Sequence, residues 1–187
     1  AGKTPTDDKD ADREKLSDFS SNTYGFSVGG PIIENKLFFF ANAEIQRDKT
    51  PKPFNYSTYS GSNNAATQTE LNSLSQFVKT NYGYDAGTYE NTEASLDAEK
   101  FFLKLDYNIA QGHKLSVRHQ YSKGRSISPG VSAKDKINFS NTGIDFTSKT
   151  NSTTAELKSI FGSQYANKLR LVATFVNDDR DPMGGDF

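Results

Sequence analysis

Cysteine is absent from the 187 residues, which excludes disulfide frameworks and thiolate metal sites. Histidine occurs only twice, and neither His113 nor His119 has an HxxxH or HExxH partner, so the pattern offers no histidine metal centre. Aliphatic residues are scarce. Hydrophobic residues make up 34% of the chain, against roughly 45–50% in ordinary domains on a count that includes glycine, and mean hydropathy is −0.72. No apolar run reaches the roughly 18 residues of a membrane helix. That excludes a helical span only, because a β-barrel crosses with alternating strands. Charge of neither sign dominates, with 22 basic and 23 acidic residues, so no nucleic-acid partner is indicated.

Aromatics are what the chain does have: 14 Phe and 9 Tyr, 12% of all residues. Disordered chains are usually poor in them. They sit largely in period-two segments. Tyr24, Phe26, Val28 and Ile32 share one parity, with Gly25, Ser27 and Gly29 on the other. After Glu34–Lys36, Leu37, Phe39, Ala41, Ala43 and Ile45 alternate with Asn42, Glu44 and Gln46. Phe101, Leu103, Leu105, Tyr107 and Ile109 alternate with Phe102, Lys104, Asp106 and Asn108. Past a turn at Gln111–His113, Leu115, Val117, His119 and Tyr121 alternate with Lys114, Ser116, Arg118 and Gln120. A third pair runs over Thr154–Tyr165 and Lys168–Asn177, with a turn expected at Ala166–Asn167. Such alternation specifies strands.

The pattern divides the chain into hairpins at 24–47, 100–122 and 153–177, separated by polar segments at 1–23, 48–99, 123–152 and 178–187. Strands of roughly nine to twelve residues match a tilted bilayer crossing. Tight turns on one side and long loops on the other are the pattern of an outer-membrane barrel. Inside the first long loop, Thr67 and Glu70 have capping-box spacing ahead of Leu71, Leu74, Phe77 and Val78, which predicts a helix near 68–81. The fold class expected is therefore all-β, an antiparallel up-and-down transmembrane barrel of which about six strands are present, with long extracellular loops.

Period two also assigns faces. Leu37, Phe39, Leu103, Leu105, Tyr107, Leu115, Val117, Leu169, Leu171 and Phe175 are expected to point to lipid. Lys104, Asp106, Arg118, Glu156, Lys158 and Arg170 fall on the other parity and are the lumen-facing candidates. A soluble, secreted all-β binding or adhesion module would alternate too, and it is the competing class.

The run Tyr24-Gly-Phe-Ser-Val-Gly-Gly-Pro-Ile-Ile-Glu-Asn-Lys-Leu-Phe-Phe-Phe40 resembles a hairpin of Oar-like TonB-dependent outer-membrane receptors of Bacteroidetes type. So do Phe102-Leu-Lys-Leu-Asp-Tyr-Asn-Ile109, His113-Lys-Leu-Ser-Val-Arg-His119 and Asp178-Asp-Arg-Asp-Pro182, in the same order and spacing. The resemblance implies a barrel of about 22 strands around a plug, with this chain covering roughly the second to seventh strands. It also implies import of a scarce nutrient (an oligosaccharide, a peptide or a metal chelate), energised by TonB through a plug that this chain lacks. Outer-membrane lipid and a surface lipoprotein are the further partners expected.

No catalytic constellation is present, so an enzyme is not expected, nor a cofactor. Serines are frequent, but none stands in a Gly-x-Ser-x-Gly elbow. Asp8, Asp10 and Asp12 imitate the start of a calcium loop, yet Arg13 stands where that loop needs Gly and Phe19 where it needs Glu. Gly29-Gly30-Pro31 precedes no helix and reads as a strand bend rather than a phosphate cradle. The candidates for ligand contact are loop aromatics: Phe54, Tyr56, Tyr59, Tyr82, Tyr84 and Tyr89.

Overall fold

A computed structural model describes residues 17–61 and 66–185; the opening acidic segment, with Asp8, Asp10 and Asp12, lies outside them. Six strands form one antiparallel sheet in sequential order. They are β1 (Ser20–Ile33), β2 (Leu37–Lys52), β3 (Thr92–Ala110), β4 (His113–Ser128), β5 (Ile144–Phe161) and β6 (Tyr165–Pro182), and helix α1 (Gln68–Tyr82) interrupts the first long loop. The fold is all-β and up-and-down, and the sheet is open, because β1 and β6 do not pair. Each of these two strands presents one unpaired edge of backbone N–H and C=O groups.

The short connections follow local chemistry. Asn35 adopts φ 58 between β1 and β2, a left-handed conformation that asparagine tolerates. The Lys36 N–H closes this turn on the Ile33 carbonyl at 3.0 Å. The third turn lies at 162–164, before the Ala166–Asn167 position expected from sequence. Its determinant is Gly162 at φ +60, a backbone state that glycine adopts without the steric cost a Cβ brings to alanine. Ala166 and Asn167 instead pair with Ile160 and Ser159 inside the ladder.

The strands also run further towards the long loops than the apolar pattern indicates. β2 continues to Lys52, β3 begins at Thr92, β4 ends at Ser128, β5 begins at Ile144 and β6 ends at Pro182. Asp178, Asp179 and Asp181 therefore belong to a strand rather than to the next loop. In these extensions both faces carry polar residues, with only scattered apolar ones such as Leu96 and Phe146, so period two disappears. What supports them is backbone pairing and cross-strand charge. Arg47 contacts Glu99 at 2.8 Å, Lys49 contacts Glu93 at 3.0 Å, and Arg125 binds the Asp145 carboxylate through Nε and Nη2.

The register aligns each apolar parity across the sheet. Leu37, Tyr107, Leu115, Leu157 and Leu169 make one continuous row; Phe39, Leu105, Val117, Ala155 and Leu171 make the next. Two rows further on stand Phe26, Ala43, Phe101, Tyr121, Asn151 and Phe175. Nothing in the sheet covers this face. Leu169 is 52% exposed, Leu171 63% and Phe175 73%. The only buried hydrophobic side chains among the described residues are Phe54, Leu71, Ala86 and Tyr89, all in the first long loop.

The absence of a sheet core carries an energetic implication. Each large apolar side chain left in water forgoes about 1.5–3 kcal/mol of burial, and a face of Leu, Phe, Tyr and Val repeats that loss many times over. A single sheet exposed this way to water on both sides would not be stable. A sheet whose apolar face meets hydrocarbon has no such deficit. The dimension agrees: from Tyr165 to Phe175 the face covers about ten steps of about 3.4 Å, which at a tilt of about 40° rise about 26 Å. That is close to the roughly 25 Å apolar band of an outer-membrane barrel.

Candidate functional site

The opposite face is built from the even-numbered neighbours of those rows. Lys114, Lys158 and Lys168 stand directly opposite one another on β4, β5 and β6. One step inward lies the row Phe38, Asp106, Ser116, Glu156 and Arg170, and one step further Phe40, Lys104, Arg118, Thr154 and Val172. All six lumen-facing candidates, Lys104, Asp106, Arg118, Glu156, Lys158 and Arg170, line one recess of about 230 Å³, together with Lys114, Ser116 and Thr154. Lys114 and Lys168 were legible by parity, but Lys114 lies beside a turn and Lys168 beside the 166–167 position where the sequence pattern places one.

Two carboxylates hold this array together. Asp106 accepts from Lys104 at 2.9 Å and lies 3.5 Å from Lys114. Glu156 accepts from Arg170 at 2.6 Å and lies 3.3 Å from Lys158 and 3.5 Å from Lys168. Arg118 has no carboxylate within ion-pair distance among the described residues, and Asp106 Oδ1 is buried without a hydrogen-bond partner. Beside the charges sits a patch that the charged pattern hid: Phe40 and Phe102 meet edge to face at 6.1 Å on the same parity.

The loop aromatics separate into two groups. Phe54 and Tyr89 are buried, and Tyr89 stacks edge to face on Tyr56 at 6.3 Å and on Phe139 at 5.4 Å. Tyr56 also leans on Tyr59 at 5.8 Å and donates to the Ala66 carbonyl at 2.7 Å. Tyr84, half-buried, donates to the Asn141 carbonyl at 3.4 Å. These five candidates are thus the core or flank of a folded loop unit, and the buried pair presents no surface to a ligand. Tyr82 alone of the six is well exposed, at 69%, with its ring against Phe77 at 6.0 Å.

Two long loops make that unit jointly. The Ser140 N–H donates to Thr88 O at 2.6 Å, Asn141 N–H to Ala86 O at 3.1 Å, and Ser60 N–H to Lys134 O at 2.7 Å. Helix α1 is seated on it through Leu71, which is buried, and through Asn72, which accepts from the Tyr89 hydroxyl at 3.1 Å. At its start the capping box expected from sequence is complete: Thr67 accepts from the Glu70 N–H, and the Glu70 carboxylate accepts from Thr67. The Thr67 N–H, then its hydroxyl, hold the Glu70 carboxyl below its ordinary range. Gly83 ends the helix at φ 70, and the Gly87 N–H, then Lys79, lower the Asp85 carboxyl.

Among the described residues no three His, Asp or Glu side chains stand close enough to hold a metal. No helix there is long and apolar enough to cross a membrane, which says nothing of strands. No match was found among curated proteins or among solved structures. Residues 4–74 match a family described as an outer membrane beta barrel domain, a stretch that contains the whole β1–β2 hairpin and the first half of α1. With an open up-and-down sheet whose apolar face is bare, this match supports assigning these strands to the barrel of an outer-membrane protein.

Proposed function

We propose that the six strands are one sector of the wall of a larger, closed barrel, and that the whole protein is a TonB-dependent transporter for a scarce nutrient. The observation that carries the barrel reading is the pairing of a bare apolar face with a charged face one residue away on β3, β4, β5 and β6. The open edges of β1 and β6 support continuation on both sides, because hydrocarbon leaves an unpaired backbone edge without a partner. Six strands are also fewer than the eight or so of the smallest closed barrels. In this reading the recess faces the lumen near its short-turn rim, and the joined long loops stand outside the cell.

Transport through TonB rests on the sequence resemblance of the β1–β2 hairpin and of the motifs on β3, β4 and β6. The soluble-module alternative lacks a supporting observation, since no layer among the described residues packs on the sheet's apolar face. The test is binding of the intact protein, purified in detergent, to the periplasmic domain of TonB. Saturable binding and nutrient uptake that disappears in cells lacking TonB are expected. A protein that neither binds TonB nor needs it for uptake is a barrel of another class.

A further inference from the structure

We infer that the recess between β3 and β6 is a binding site for a small oxyanion, a phosphate or carboxylate group carried by a solute in the lumen; this rests on the barrel reading above. Like charges directly opposite in a sheet are destabilising, yet Lys114, Lys158 and Lys168 occupy facing positions on three adjacent strands. One row inward, Asp106 and Glu156 are the only carboxylates of the cluster among the described residues, and each is already shared. Asp106 serves Lys104 and Lys114, while Glu156 serves Lys158, Lys168 and Arg170. Arg118, a sixth cation, has neither.

Five of these cations (Lys104, Lys114, Arg118, Lys158 and Arg170) and both carboxylates line the recess, an excess of three charges, and low-dielectric walls concentrate such a field. The chemistry of the lining is that of an oxyanion site. Arg118 offers a free planar fork of N–H donors, the geometry that matches carboxylate and phosphate oxygens. Ser116 and Thr154 place hydroxyl donors in the same recess, Ser116 one row away and Thr154 directly opposite Arg118. An anion seated there relieves the repulsion among the lysines as well as satisfying Arg118. The field, not a buried cage, supplies the attraction, so binding should be fast, weak and sensitive to salt.

The experiment is titration of inorganic phosphate, and separately of acetate, into the intact detergent-purified protein, followed by phosphorus and carbon NMR line width. Saturable binding of either that weakens with added sodium chloride is expected. Arg118→Gln should weaken it about tenfold or more, the loss of a charged hydrogen-bond donor. Glu156→Gln should tighten it, because removing that carboxylate frees Arg170, Lys158 and Lys168. A merely structural ion cluster makes no such opposite pair of effects. If Arg118→Gln does not fold, Glu156→Gln decides alone: tighter binding supports the site, unchanged binding overturns it. Absence of saturable binding overturns it, as does an affinity indifferent to Arg118→Gln, the result if Arg118 turns onto Asp106 instead. Labelling Arg118→Cys with a membrane-impermeant thiol reagent in lipid vesicles separates the two levels. A labelled cysteine without phosphate or acetate binding removes the anion site and leaves the lumen; an unlabelled one removes both.

Discussion

Replacing Leu105 by arginine puts the account under its heaviest load. Leu105 is the midpoint of the apolar run Phe101, Leu103, Leu105, Tyr107 and Ile109 on β3, and is flanked across the ladder by Phe39 and Val117. It is 37% exposed, and its neighbours in the row are apolar. If the row meets lipid, a cation near the middle of the band costs about 2–4 kcal/mol, which is about 30-fold to about 700-fold in the folding equilibrium. If the face meets water, a surface substitution of this kind stays within about 0.5 kcal/mol. Gln120→Arg, on the charged parity of β4, is the control and should stay within that smaller range. The measurement is a urea titration of the intact protein in lipid vesicles, read by the mobility of folded and unfolded barrel on a gel. Equal small effects for the two variants would refute the lipid-facing assignment.

Gly87→Ala should loosen the joined loops, because Gly87 has φ +75 and an added Cβ would meet the Ser140 hydroxyl and Asn141 side chain. The left-handed backbone alone contributes about 1–2 kcal/mol, and faster amide exchange at Thr88, Ser140 and Asn141 is the readout, with the barrel unaffected. Thr67→Ala removes the α1 cap and should destabilise the helix locally by about 1 kcal/mol, visible as faster exchange over its first turn. Acid should act on the same turn. The Glu70 carboxyl is lowered in the folded state from its ordinary 4.5, so its contribution is full above that value and is lost as pH falls through the lower folded value. First-turn exchange should therefore rise as pH falls below 4.5, and in Thr67→Ala that pH dependence should shrink.

The middle of each strand was readable because one face must be apolar and the other need not be. Leu103 to Tyr107 and Leu115 to Tyr121 carry that constraint residue by residue, and the register keeps it across five strand pairs. Beyond the row of Phe26, Phe101, Tyr121 and Phe175 the constraint lapses, so Lys49, Asp97 and Arg125 gave no sign that their strands continued. The third turn was misplaced because Asn167, a turn-prone residue, outweighed one glycine whose positive φ decides the geometry. The recess was legible as parity but not as a site: that Lys114, Lys158 and Lys168 face each other depends on turn positions. The loop aromatics were the hardest. Tyr89 is buried by Phe139, some fifty residues away in another loop, and nothing local announces which loops will meet.

Nitroxide scanning distinguishes a face of this sheet that meets hydrocarbon from one that meets water. Single labels placed in turn from position 101 to 109 of the intact protein in lipid bilayers report collision rates with oxygen, which prefers lipid, and with an aqueous nickel chelate. Strict alternation is expected: oxygen-accessible and nickel-excluded at Phe101, Leu103, Leu105, Tyr107 and Ile109, and the reverse at Phe102, Lys104, Asp106 and Asn108. Nickel access on both parities, or exclusion of both reagents from the odd-numbered row as in a protein core, would contradict it.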